Sequence, residues 1–237
     1  LGMKNTHFVN CNGLDADGHL TSARDIALMS RELITKHPQI RDYCMIWMEN
    51  ITHTTSKGTT EFGLTNTNKL VRQYEYATGL KTGSTGEAKF CVSATAEKNG
   101  VELIAVIMAA ENSKDRFRDA VTLLNYGFGK CQLYTDEEQG TPGPVEVEGG
   151  VEDQVGAVYS DSFTYLDTSG ANLNQIEKKE QTEQTVKAPV KKGDVLGRLT
   201  YFLDGKEIGS VDILAAEDVE KAGFPDYLLE ALGEFRL

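Results

Sequence analysis

The order of patterns along this 237-residue chain predicts an α+β domain, an antiparallel sheet with helices, followed by a small all-β, sandwich-like domain. Three observations carry that expectation. Lys89 to Glu97 and Val101 to Met108 have strand composition and flank Asn99-Gly100, a dipeptide that favours a tight hairpin turn. Helical periodicity brackets this hairpin, with Ile26, Met29, Leu33 and Ile34 before it and Phe117, Val121, Leu124 and Phe128 after it. Beyond Thr141-Pro142-Gly143-Pro144, read as a linker, short strand-like runs replace helices. The expected domains are residues 1–138 and 142–237.

Each element has a local reason. Residues 1–20 read as extended and looped, with turns at Asn12-Gly13 and Asp17-Gly18. Ser22-Ala23-Arg24-Asp25 resembles a capping box that opens a helix, and Pro38 bars its continuation. A short helical turn is expected from Ile40 to Tyr43. Residues 45–70, rich in Thr, Asn and Gly, read as irregular, with Trp47 in the core. A short strand is expected over 79–85 and a helix over Asp115–Tyr126, capped by Asn112 or Ser113 and ended by Gly127 and Gly129. In the second domain, strands are expected near 144–148, 155–166, 185–188, 195–203 and 207–214, with a hairpin turn at Asp204-Gly205. Glu177 to Glu183 reads as a solvated loop, and 217–236 as a terminal helix interrupted at Gly223-Phe224-Pro225.

The formal charge of −12 argues against non-specific binding to nucleic acid or to anionic lipid. It is uneven: residues 1–141 carry 15 basic and 17 acidic side chains, residues 142–237 carry 9 and 19. Such an asymmetry suits two domains with different jobs, the acidic one a spacer or interaction module. Cys11, Cys44, Cys91 and Cys131 form no Cys-x-x-Cys pair, so they read as core or free thiols. His7, His19, His37 and His53 lack metal-site spacing, and Asp15 and Asp17 read as turn residues, so no metal or cofactor is expected. No run reaches the roughly 18 apolar residues of a membrane span.

The chemistry centres on Lys81-Thr82-Gly83. On a strand, Lys81 supplies a cation, Thr82 a hydroxyl donor, and Gly83 room for another backbone to approach. An extended peptide could add to such a strand as a further β-strand. The triplet accompanies Ser-x-x-Lys and Ser-x-Asn in serine acyltransferases of the penicillin-binding and β-lactamase group. By itself the triplet is equally compatible with a turn bearing a solvated lysine.

Several segments in register make a more specific case. Leu1 to Asn10, Gly13-Leu14, Thr21 to Asp25, Asn66-Thr67-Asn68-Lys69-Leu70, Gly79 to Thr85 and Arg116-Phe117 resemble the D-alanyl-D-alanine carboxypeptidases, the low-molecular-mass penicillin-binding proteins. The likeness is to the sporulation-associated Gram-positive type and extends to about residue 130. Residues 142–237, notably Ala188 to Asp194, resemble the β-rich domain that follows in that family. The resemblance implies a β-lactamase/transpeptidase-like fold for the first domain. It implies a serine hydrolase that removes the terminal D-Ala from peptidoglycan stem peptides through an acyl-serine, with β-lactam antibiotics as substrate mimics. It assigns catalysis to Lys81, Thr82 and Gly83, and substrate binding to Lys81, Thr82, Ser84 and Arg116, with Thr82 binding the substrate's carboxylate and Arg116 helping to hold it. The place it implies is the outer face of the cytoplasmic membrane or the wall space, with any membrane association through segments not in this chain.

The chain also departs from that family. No serine begins Ser-x-x-Lys, and Ser-x-Asn is absent. Thr54…Lys57 and Thr95…Lys98 have the spacing, with threonine in place of serine. Glu87-Ala88-Lys89 follows the triplet where the family often has Ala-Gly. The chain therefore reads as the second half of a catalytic domain plus the β domain, inactive alone, its nucleophile on upstream polypeptide or another, complementing chain. Two alternatives stand beside it: a non-catalytic scaffolding relative and a β-lactamase-type hydrolase.

Overall fold

A computed structural model describes residues 1–228, which form two compact units, Leu1–Cys131 and a second beginning at Gln132. In the first, α1 (Ala23–Lys36) starts where Ser22 accepts a hydrogen bond from the Asp25 amide and stops just before Pro38. The buried Asp25 carboxylate also accepts from the Asn5 amide and the Thr6 hydroxyl, tying the irregular N-terminal segment to the helix. The Thr6 bond is the largest reason that its pKa lies below the usual aspartate value. A single turn, α2 (Ile40–Cys44), follows.

Residues 45–70 are ordered, which corrects the irregular reading. They form an antiparallel hairpin of β1 (Met48–Thr55) and β2 (Gly58–Thr65), then α3 (Leu70–Gln73). Every residue of the hairpin is exposed, so neither face is apolar and no alternation marks it in sequence. Trp47, expected in the core, is half-buried beside this hairpin, with the Arg72 guanidinium 5.7 Å from its ring centre.

The core sheet is antiparallel, in the order β3 (Ala77–Thr85), β4 (Lys89–Lys98), β5 (Val101–Ala110). Asn99 and Gly100 both adopt positive φ in the β4–β5 turn, the backbone that such a dipeptide tolerates. On one sheet face Val92, Ala94, Ala96 and Ala105 pack against Phe117, Ala120 and Leu124 of α4 (Ser113–Lys130). Small residues on the sheet let this helix lie close. Asn112 caps α4 by accepting from the Lys114 and Asp115 amides. The helix runs through Gly127 and Gly129 instead of ending there; a Cβ on Gly127 would come within 2.7 Å of a Leu103 methyl, so glycine leaves room for that side chain of the sheet.

The second unit is all-β. A four-stranded sheet has the order β11 (Glu177–Thr182), β13 (Val195–Leu203), β14 (Lys206–Ala215), β9 (Ala157–Tyr159). A three-stranded one has β12 (Thr185–Lys187) at its edge, parallel to β7 (Val145–Glu148), which in turn pairs antiparallel with β8 (Gln154–Val155). A two-stranded ladder joins β6 (Gln132–Thr135) to β10 (Thr164–Asp167). The charged run at 177–183, read as a loop, is thus mostly strand: β11 pairs with β13 from Glu177 to Thr182 while its side chains stay largely in water. The expected strand over 155–166 is broken into three pieces. Of the expected terminal helix, residues 224–228 are helical and the rest lies outside the described residues.

Val145, Val147, Val155, Leu196 and Ile213 form one apolar cluster and Phe163, Leu199, Tyr201 and Val211 another. Phe163 and Tyr201 stack with ring centres 3.7 Å apart. Beneath them the buried Asp136 carboxylate accepts from the Tyr201 hydroxyl at 2.7 Å and from the Lys178 ammonium. Burial works to raise the Asp136 pKa, but the hydrogen bonds from Lys178 and Tyr201 outweigh it and hold the value low. Burial, then the hydrogen bond to Glu180, pushes Tyr159 up to about 12.

Candidate functional site

Strand β3 pairs only with β4 among the described residues, so its outer backbone edge is open. Lys81 lies opposite Ser93, whose hydroxyl is 2.7 Å from that of Ser30 on α1; both serines are buried. Lys81 therefore belongs to the α1 side of the sheet. Thr82, one residue on, lies opposite Val92 and belongs to the α4 side. The triplet thus presents its cation and its hydroxyl on opposite faces of an edge strand.

The expected cleft around Lys81 is not closed by the described residues. Its side chain is exposed, and its ammonium donates to the neighbouring Thr82 carbonyl. Gly83 and Ser84 are exposed as well, opposite Cys91 and Phe90. An unpaired strand edge, a cation with no carboxylate partner among the described residues and a residue without a side chain lie in a row, open to an incoming backbone and anion.

Thr82 is 7% exposed, and its hydroxyl lies 2.6 Å from that of Thr67, in the segment leading into α3. Two hydroxyls carry two protons, and their mutual bond uses one. The other has no protein acceptor among the described residues, so the pair retains a donor for a carboxylate or carbonyl. Sequence reasoning quoted Thr67 without a role. No local signal reveals this pairing, because the partners meet only when α3 packs against the sheet. Beside Thr67, the 1% exposed Asn68 accepts from the Leu70 amide, and its Nδ2 has no partner among the described residues. At the other end of β3, the Gly79 Cα lies so close to Cys44 that a Cβ would come within 2.5 Å of its sulfur. The Cys44 thiol donates to the Thr78 carbonyl, and burial pushes its pKa up.

Arg116 is not the solvated helix cation that its neighbours Asp115 and Asp119 suggest. Those carboxylates pair with Arg118. Arg116 is 6% exposed, and its Nη1 donates to the carbonyls of Gly83 at 3.1 Å and Cys91 at 3.2 Å. Its guanidinium lies 5.5 Å from the Phe90 ring centre and 4.7 Å from that of Phe117. Desolvation lowers its pKa, yet an arginine stays charged there.

Neither threonine with the Ser-x-x-Lys spacing can act as nucleophile with its lysine. Thr95 and Lys98 share strand β4, three residues apart and so on opposite faces; Thr95 is buried against Thr78, and Lys98 sits 4.5 Å from the Tyr76 ring centre. Thr54 and Lys57 flank the exposed β1–β2 turn.

Comparison with known proteins finds relatives for both units of the chain. Residues 1–112 match the D-alanyl-D-alanine carboxypeptidase family model, and residues 128–221 match the model of the penicillin-binding protein 5 C-terminal domain. The D-alanyl-D-alanine carboxypeptidase DacF of Bacillus subtilis is 33% identical over 99% of this chain and 60% of its own length. DacC of Escherichia coli is 30% identical over 94% of the chain and 54% of its own length. The crystal structure of penicillin-binding protein 5 from Haemophilus influenzae superposes with a TM-score of 0.63 at 26% identity, covering 93% of this chain and 62% of that one. The chain thus spans somewhat over half the length of these relatives.

Proposed function

Proceeding from the chain's membership of the D-alanyl-D-alanine carboxypeptidases, through residues 1–112 and the penicillin-binding protein 5 C-terminal domain at 128–221, we propose that it supplies the substrate-docking edge of a serine-type D-Ala-D-Ala carboxypeptidase. The observation that carries this reading is strand β3, whose open edge holds Lys81 exposed and the Thr82–Thr67 hydroxyl pair with a spare proton.

A stem peptide ending in D-Ala-D-Ala aligns along the outer edge of β3 by backbone hydrogen bonding. Lys81 supplies positive potential toward the carboxylate end, Thr82 donates the spare hydroxyl proton, and Gly83 leaves room for the peptide. Ser84 adds an exposed hydroxyl one residue further on. These groups bind and orient. The attacking serine and the lysine that activates it are absent from these 237 residues, so the reaction needs them from other polypeptide. With them, serine attack on the penultimate D-Ala carbonyl expels the terminal D-Ala, and water hydrolyses the acyl-enzyme. A β-lactam docks on the same edge and acylates the same serine. The reaction belongs outside the cytoplasm, where stem peptides are exposed. The acidic second unit is read as a spacer or interaction module.

Labelled penicillin tests the reading through intact mass. The 237-residue chain alone takes up no label and releases no D-Ala. The full-length protein takes up one label, on a serine outside residues 1–237. A folded full-length protein that acquires no adduct overturns the enzyme and leaves the scaffolding relative.

A further inference from the structure

The guanidinium of Arg116 is buried without a carboxylate partner among the described residues, directly under the strand proposed to dock substrate. Buried charge of this kind is costly unless strong hydrogen bonds replace water. What replaces water here is the Ser113 hydroxyl, 3.4 Å from Nη2, and above all backbone. One nitrogen reaches the carbonyls of two residues that face each other across the ladder, Gly83 on β3 and Cys91 on β4.

The sheet is irregular at this point. The β4–β5 register jumps between Phe90 and Val92, so Cys91 has no ladder partner on β5, and Ala109 opposite the gap has positive φ and donates its amide to the Cys91 sulfur. Glycine at 83 gives the edge strand no side chain with which to pack itself in place. The end of β3 is held by its ladder with β4, which runs on through Ser84–Phe90 and Thr85–Lys89, and α4 adds to it a guanidinium fixed by the rings of Phe90 and Phe117.

We propose that Arg116 is a positioning residue, which staples the Gly83 end of β3 to β4 through the two carbonyls and so sets the height and direction of the docking edge. Its Nη1 acts on backbone oxygen, beneath the edge that carries Lys81, Thr82 and Ser84. This rests on reading β3 as the docking edge, although the staple itself has a test that needs no activity.

Hydrogen exchange on the 237-residue chain compares Arg116→Met with Arg116→Lys. With Arg116→Met, amides 82–92 exchange about 10- to 100-fold faster, as expected for lost charge-assisted bonds, while the β4–β5 turn side and α4 keep their protection. Arg116→Lys, with a cation that can reach one carbonyl, recovers part of it, and it serves alone if Arg116→Met does not fold. Exchange that rises equally throughout Leu1–Cys131 reduces Arg116 to core filling and overturns the staple, as does exchange that does not change. In the full-length protein the same variants slow penicillin acylation in the order wild type, Lys, Met, with the lysine variant regaining part of the rate. Local loosening with unchanged acylation overturns the positioning role. Local loosening in a protein whose wild type is never acylated keeps the staple and sinks the enzyme reading.

Discussion

The two units handle apolar surface differently. Among the described residues, the second buries 15 apolar residues and exposes eight large ones, whereas the first buries 12 and exposes 15. The second closes its strands over two aromatic and aliphatic clusters, with a hydrogen-bonded carboxylate beneath. The first covers one sheet face with α4, while on the other α1 buries only Asp25, Ser30 and Ile34. Charge divides the same way: Leu1–Cys131 holds 15 basic and 14 acidic side chains, a net of +1, so the other unit, with 9 basic and 22 acidic, carries −13. One unit is built to be finished, the other to present an edge and a face. Burial is what separates them, since apolar area removed from water is the main stabilising contribution.

The strongest way to break this contrast is at the stacked pair. Phe163→Ala should cost the second unit about 3–5 kcal/mol in urea unfolding followed by exchange of its amides. A loss under about 1 kcal/mol would mean that this core is no tighter than the first.

Next comes pH. The folded Asp136 carboxyl titrates below its ordinary 3.8, so its contribution is fully present above that value and is lost as pH falls through the lower folded value. Tyr159 titrates at about 12 instead of 10.0, so its contribution is present below pH 10.0 and is lost as pH rises toward about 12. Asp136→Asn should flatten the acid limb for the second unit and leave the first unchanged; an acid limb of equal slope in the variant assigns it to other groups.

Smaller still, Asn112→Ala removes the α4 cap and should cost about 1 kcal/mol in the first unit alone. The smallest effect belongs to the β1–β2 hairpin, where Phe62 is 57% exposed. Phe62→Ser should change stability by no more than about 0.5 kcal/mol in the isolated chain. A larger loss would show that something covers this hairpin in solution, and a concentration-dependent unfolding midpoint would identify that cover as a second copy.

The elements legible in sequence had strong local signals. Asn99-Gly100 and Asp204-Gly205 both sit in positive-φ turns between paired strands, because few other dipeptides tolerate that backbone. Ser22 and Asn112 cap helices because a side-chain oxygen three residues before an amide can reach it. The β1–β2 hairpin and β11 escaped because their side chains stay in water, and without a buried face a strand leaves no period in its sequence.

Of the candidate site, sequence by itself determined the residue types at the edge, Lys81, Thr82, Gly83 and Ser84, and the lack of a Ser-x-x-Lys pair within these residues. Only the tertiary structure decided which face each takes, that Thr67 shares a proton with Thr82, and that Arg116 turns inward to two carbonyls instead of out to its acidic neighbours. The reason is range. Turns, caps and alternation depend on residues a few positions apart. The direction of a buried cation depends on which carbonyls a helix meets 25 and 33 residues away, and no local pattern carries that information.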